Sequence, residues 1–361
     1  MGGGCLPAEP RGGTAAVIRA LLSLIAGVSL LAGCASTWTL AVETAPRPPE
    51  WRDEANVLRA AHVESIRGFT ETGPSLASAL KYAVFGRTNE QNMIQRPVAA
   101  AVGADERIAV ADAACSCVHL YIPAEQRYRR VFQAGKDELK SPVSVAFDDE
   151  ARLYVSDSFR AAIFVFDRNG EYAATIREAG GERLRRPTGL AFASAAKLLY
   201  ALDTTANRVH VFDSSGRSRL SFGEPGEKEG QFNYPTHLAV SSDGDVFIVD
   251  AMNFRIQAFD RNGVFRASFG HHGNGSGDFA MPKGIAADRN GVLYIVDTLF
   301  DNIQLFDMNG NFLFTLGSRG SGQGEFSMPS GLVLDSRSRL FVCDTYNQRI
   351  QVFQVSGDRH E

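Results

Sequence analysis

From residue 97 to residue 353 the chain alternates apolar and polar positions in short runs, each bounded by Gly, Asn, Asp or Pro. Alternation with a period of two, rich in β-branched and aromatic residues, predicts strands. The runs come in groups. One group reads "GIAAD" at 284–288, "VLYIVD" at 292–297, "NIQLFD" at 302–307 and "FLFTLG" at 312–317. "DRNG" and "MNG" segments separate neighbouring runs, and Asn-Gly supplies the positive φ that a tight hairpin needs.

The group repeats. A Pro that opens an apolar run stands at Pro97, Pro142, Pro187, Pro235, Pro282 and Pro329, with spacings of 45, 45, 48, 47 and 47. An Asp that closes the next run stands at Asp112, Asp157, Asp203, Asp250, Asp297 and Asp344, spaced 45, 46, 47, 47 and 47. Six four-stranded units at this period predict an all-β fold, a six-bladed β-propeller over residues 90–356, with a tail at 357–361. "FDRNG" at 166–170 and 259–263 is then the end of a third strand plus its hairpin, repeated because the blade repeats.

Blade six stops at "RIQVFQVSGDRHE" without a fourth strand, which would leave an exposed sheet edge. Residues 61–89 are expected to supply the closing strand and a short helix. Of two candidates for the strand, 61–68 and 80–86, the first is preferred. "GPSLASALKYAVF" reads as helix, with Ser75 as cap and Leu76, Leu80 and Val84 on one face.

Upstream, Arg11 and Arg19 precede the apolar stretch at 20–30, which is too short to be a permanent span. It ends in "LAGC", Leu31 to Cys34, which resembles the lipobox of bacterial lipoproteins. That resemblance implies a signal peptide at 1–33, a lipid on Cys34 and, with Ala35 next, an exported chain held at the outer membrane. Residues 34–60, Pro-rich at 44–51, read as a spacer.

The repeats "GQFNYPTHLAVSSDGDVFIVDAMNFRIQAF" at 230–259 and "GEFSMPSGLVLDSRSRLFVCDTYNQRIQVF" at 324–353 resemble NHL repeats. The likeness covers about residues 90–355, strongly in blades three to six and less in blades one and two. It implies a propeller that holds a protein, peptide or glycan on one face. Lipoprotein propellers that resemble this chain also carry a strand and short helix before blade one.

A net charge of −4 with no basic stripe excludes the electrostatic footprint of a nucleic-acid binder. A closed propeller of this size reads as a monomer. Repetition then filters the candidate chemistry. The six Asp residues recur in every blade, so they are expected to serve the architecture by accepting backbone N–H bonds. Asn253/Arg255, Asn347/Arg349 and Arg208 read as bridges within the repeat.

Residues that break the pattern are better functional candidates. Two after the Pro stand Ala99, Ser144, Gly189, Gly284 and Gly331, but blade four has His237. One after the Pro stand Val98, Val143, Thr188, Thr236, Lys283 and Ser330. Ser144, Thr188, Thr236, His237, Lys283 and Ser330 are thus candidate binding residues near one mouth of the central channel. His237 beside Lys283 is compatible with an acid/base pair, an anion site or an ordinary pore residue beside a solvated Lys. The second break is "CSC" at 115–117, where other blades carry N-x-R, followed by His119. A disulfide from Cys343 in blade six to Cys115 or Cys117, a thiolate–imidazole metal site and plain buried thiols all remain open. "FGHHGNGSGDF" at 269–279, with His271 and His272, aligns with the other inter-blade loops and reads as one of them.

Two functions of different class follow. The first is a non-catalytic scaffold for a protein or glycan partner, needing no cofactor. The alternative is a metal-dependent hydrolase or lyase, because lactonases and streptogramin-lyase-like proteins share this kind of propeller. It would require calcium or zinc, and an oxygen cage for calcium needs about six ligands.

Overall fold

A computed structural model describes residues 36–52, 58–85 and 92–356. The expected signal peptide, Cys34 and the tail at 357–361 lie outside the described residues.

Five antiparallel four-stranded sheets follow one another in strict sequence order, and a sixth sheet completes the ring. Blade one uses Pro97–Val102, Ile108–Asp112, Cys117–Ile122 and Arg127–Val131. Blade five uses Pro282–Ala287, Val292–Asp297, Asn302–Asp307 and Phe312–Leu316. In each of blades one to five, the Pro of the innermost strand faces the Asp of the second, as in Pro97↔Asp112 and Pro282↔Asp297. One end of every such blade is therefore a proline–aspartate end.

The opposite end is made of Asp-centred turns. In "FDRNG" the Asp167 carboxylate accepts the N–H groups of Asn169 (2.8 Å) and Glu171 (2.9 Å), while Gly170 takes φ +77°. The Asp organises the turn and the Gly makes it sterically possible. Asp148, Asp288 and Asp335 do the same between the first and second strands.

The ring closes through residues upstream of the propeller. Leu58–Gly73 forms a strand that contains 61–68 and pairs antiparallel with Arg349–Val355, from Ala60↔Val355 to Ile66↔Ile350. It takes the place of the fourth strand that blade six lacks. The segment read as a spacer does more than span. Thr37–Glu43 and Glu50–Arg52 both add to the closing strand. The two Trp residues fix them: Trp38 packs on Tyr128 at 4.9 Å and Trp51 on Phe353 at 5.5 Å. A second small unit contains the helix Leu76–Phe85, whose first turn Ser75 caps through Ser78 N–H at 3.2 Å.

Apolar faces of neighbouring blades form the core. Phe232, Phe279 and Phe326, from the Gly-rich loops, are fully buried there. Near the axis the innermost strands approach closely. A Cβ on Gly284 would lie 2.3 Å from the Ser330 carbonyl oxygen, and one on Gly331 would lie 2.6 Å from that of Val98. At these two positions the absence of a side chain is a packing requirement.

Candidate functional site

All six repeat Asp side chains are buried. Each clamps the chain just before the Pro: Asp112 accepts Gln95 N–H at 2.7 Å, Asp203 accepts Arg185 N–H at 2.6 Å, and Asp297 accepts Ala280 N–H at 2.7 Å. Most also accept an N–H from the turn that follows, as Asp157 does from Phe159 (3.1 Å) and Arg160 (2.9 Å). In blade four Asn253, Arg255 and Gln257 converge on Asp250 at 2.8, 2.8 and 3.0 Å. Blade six repeats this set with Asn347, Arg349 and Gln351 on Asp344. These carboxylates are spent on architecture.

Blade one departs from that design. Cys115 and Cys117, at the Asn and Arg positions, form a disulfide with each other. Cys343 is buried and free. The cross-blade pairing left open by the sequence is therefore not formed, because the two sulfurs of one loop are nearer each other than either is to blade six. Burial pushes the Cys343 thiol up, which keeps it protonated and inert. His119 stands where blades four to six have Gln, with Nε2 3.4 Å from Asp112 and 3.8 Å from Cys117 Sγ, and Nδ1 2.8 Å from the Tyr128 hydroxyl.

The hydroxyls at the proline end are occupied by their neighbours. Ser144 Oγ accepts Leu190 N–H at 3.1 Å, and Thr188 Oγ1 shares a hydrogen bond with Thr204 at 2.7 Å. Thr236 Oγ1 donates to the Lys283 carbonyl at 3.4 Å, and Ser330 Oγ donates to that of Val98 at 3.0 Å. Clasps of the same kind run from Thr204 to Pro235, Thr298 to Pro329 and Thr345 to Pro97, the last joining blade six to blade one.

His237 is different. It projects into a cavity of about 410 Å³ on the axis, lined by Ala99, Val145, Leu190, Leu238, Ile285 and Leu332 among others. Both of its ring nitrogens are buried and have no hydrogen-bond partner among the described residues. Burial, reinforced by the Lys283 cation, lowers its pKa to about 3, so it is neutral at pH 7. Burial likewise lowers the Lys283 pKa, and Arg96 adds to the effect. Lys283 stands near enough to His237 for its charge to act on the imidazole. Nothing in the sequence pointed to Asp148, Asp288 and Asp335 at the other end of the cavity, which are held in their turns. His271 and His272 are loop residues: His271 pairs with Asp278 at 2.8 Å, and His272 packs on Phe254 at 4.4 Å.

A larger feature lies on the proline face. Phe159, Tyr234, Met252, Met281, Leu299 and Tyr346 are between 38 % and 73 % exposed. Each precedes a blade Pro or follows a blade Asp by two residues, so all lie at the proline–aspartate end. Backbone bonds such as Met252 N–H to Asn233 O (3.1 Å) hold the two kinds of loop side by side. Arg186 lies over the Tyr234 ring at 5.4 Å, and Arg96 over Tyr346 at 5.7 Å. Arg96 and Tyr346, with Arg67, Ile94 and Ala114, rim an open depression of about 580 Å³.

The NHL repeat family matches residues 232–259 and 326–353, the two repeats singled out from their spelling. The chain thus carries NHL repeats within its six-bladed β-propeller. Among curated proteins, the protein brain tumor of Drosophila melanogaster is 37 % identical over 49 residues, 13 % of this chain and 5 % of that protein. Three solved structures share the propeller fold. A gluconolactonase from Xanthomonas campestris has a TM-score of 0.58 at 15 % identity, covering 90 % of this chain and all of its own. Virginiamycin B lyase from Staphylococcus aureus has 0.55 at 12 %, covering 74 % and 97 %. A streptogramin B lyase has 0.54 at 11 %, covering 73 % and 94 %. At these identities the likeness is one of fold.

Proposed function

We propose that this NHL propeller is an exported, lipid-anchored scaffold that holds a protein partner on its proline face, without catalysing a reaction. The observation that carries the reading is the ring of exposed Phe, Tyr, Met and Leu side chains on that face, interleaved with Arg96 and Arg186. Tyr and Arg are the residues that most often carry binding energy at protein interfaces, and Met adapts to irregular partners. The "LAGC" segment supplies the anchor at Cys34 in this reading.

The test is crosslinking of the tagged full chain in its own cells, with mass spectrometry of what is bound, beside a Cys34→Ala form. One protein enriched by the wild type and depleted in the unanchored form supports the scaffold. Enrichment of glycan alone overturns the choice of partner. Equal recovery from both forms overturns the role of the anchor.

The second reading is a metal-dependent hydrolase or lyase. What favours it is His237, an unpartnered imidazole on the channel axis of a fold that lyases and a gluconolactonase share. Turnover of a lactone or streptogramin panel that is lost in His237→Ala would establish it.

A further inference from the structure

Among the described residues, Cys115, Cys117 and His119 have their ligand atoms all within 4.8 Å of one another. We propose that the Cys115–Cys117 disulfide is the oxidised form of a Cys2His site that takes up one zinc ion when a dithiol reduces it. The inference is independent of the partner-binding reading.

The geometry is close to what zinc requires. Zn–S bonds of about 2.3 Å and Zn–N bonds of about 2.05 Å at a tetrahedral angle place S and N about 3.6 Å apart. His119 Nε2 already lies 3.8 Å from Cys117 Sγ. Two sulfurs on one zinc sit about 3.8 Å apart by the same arithmetic. The Cα atoms of Cys115 and Cys117 are 5.2 Å apart, so rotation about the two Cα–Cβ bonds opens the sulfurs to that distance without moving the backbone. Tyr128 supplies the outer support: its hydroxyl, 2.8 Å from Nδ1, accepts the Nδ1 proton in the tautomer that turns the Nε2 lone pair to the metal. Cys117 and His119 are buried and Cys115 is part-buried, and the Asp112 carboxylate lies 3.4 Å from His119 Nε2 on the same side of the site.

The chemistry balances. A dithiol reductant gives two electrons and two protons; the Sγ–Sγ bond breaks, two S–H bonds form, and the reductant leaves as a disulfide. Zinc then displaces the two thiol protons and binds two thiolates and a neutral imidazole. Blade one is built for this and its relatives are not. The same positions hold Asn253, Arg255 and Gln257 in blade four and Asn347, Arg349 and Gln351 in blade six, where all three bond the repeat Asp; in blade one only His119 reaches it, with Nε2 3.4 Å from Asp112.

The experiment uses the full chain, reduced without oxygen, freed of reductant, given zinc chloride, desalted and assayed for zinc. About one zinc per chain is expected after reduction, and almost none in the oxidised protein. His119→Gln installs the residue that blades four to six use, so it should fold; it is expected to weaken zinc retention at least tenfold, as is the part-buried Cys115→Ser. Cys343→Ser is expected to retain zinc, and cobalt in place of zinc should give the intense visible bands of a tetrahedral thiolate site. A reduced, folded chain that retains no zinc overturns the proposal. So does undiminished zinc in both His119→Gln and Cys115→Ser.

Discussion

At the scale of single residues, buried imidazoles make stability depend on pH. His237 titrates at about 3, and His62, lowered by burial and by Arg349, at about 4. An unfolded His takes its proton near 6.5. Between about 6.5 and 4 the unfolded chain therefore binds more protons than the folded one. Stability is at its full value above about 6.5 and falls as pH drops through that window, by at most about 1.4 kcal/mol per unit for each imidazole. Urea unfolding at pH 7.5 and pH 5 should show the loss, and His237→Leu should remove part of it. Equal pH slopes for the two proteins would refute the buried imidazole. The repeat Asp residues give a sharper test. Asp250→Ala strands Arg255 and Asn253 and frees the Asn233 N–H, so it should cost about 3–5 kcal/mol. Loss of Asp260, in an exposed turn, should cost less than half of that in the same denaturation assay.

At the scale of elements, closure carries the fold. Ile66 is buried against Ile350 and Cys343, at the seam between the closing strand and blade six. Ile66→Ala should destabilise by about 2–5 kcal/mol and free an edge at Arg349–Val355 for self-association, visible by light scattering. Gly284→Ala should cost about 1–3 kcal/mol, because its Cβ meets a backbone carbonyl that cannot yield. Much of this level could be read from the residues. Pro and Asp spacing marked the blades, and the missing fourth strand of blade six pointed upstream. The strands at Thr37–Glu43 and Glu50–Arg52 were hidden, because Pro-rich flanks masked short strands that depend on Trp38 and Trp51 reaching distant rings.

At the scale of the molecule, the candidate site was legible only in part. His237 and Lys283 stood out because they break a repeat, and the Lys283 charge acts on the His237 imidazole. The hydroxyls chosen with them are occupied, since Ser330 meets a strand of blade one and Thr188 the turn after Asp203, partners that no local spelling reveals. The Cys115–Cys117 pairing turned on which sulfurs were nearest in space. The exposed face was invisible for a related reason: Phe159, Tyr234, Met252 and Tyr346 come from different blades, and only ring closure sets them on one surface.

That surface is the central claim, and site-specific photocrosslinking in the cell tests it most directly. A photoreactive residue would be placed in turn at Met252 and Leu299 on the proline face, and at Val264, equally exposed on the turn face. The scaffold reading predicts the same protein adduct from Met252 and Leu299 and none from Val264. Adducts from Val264 alone, or from all three positions alike, would contradict it.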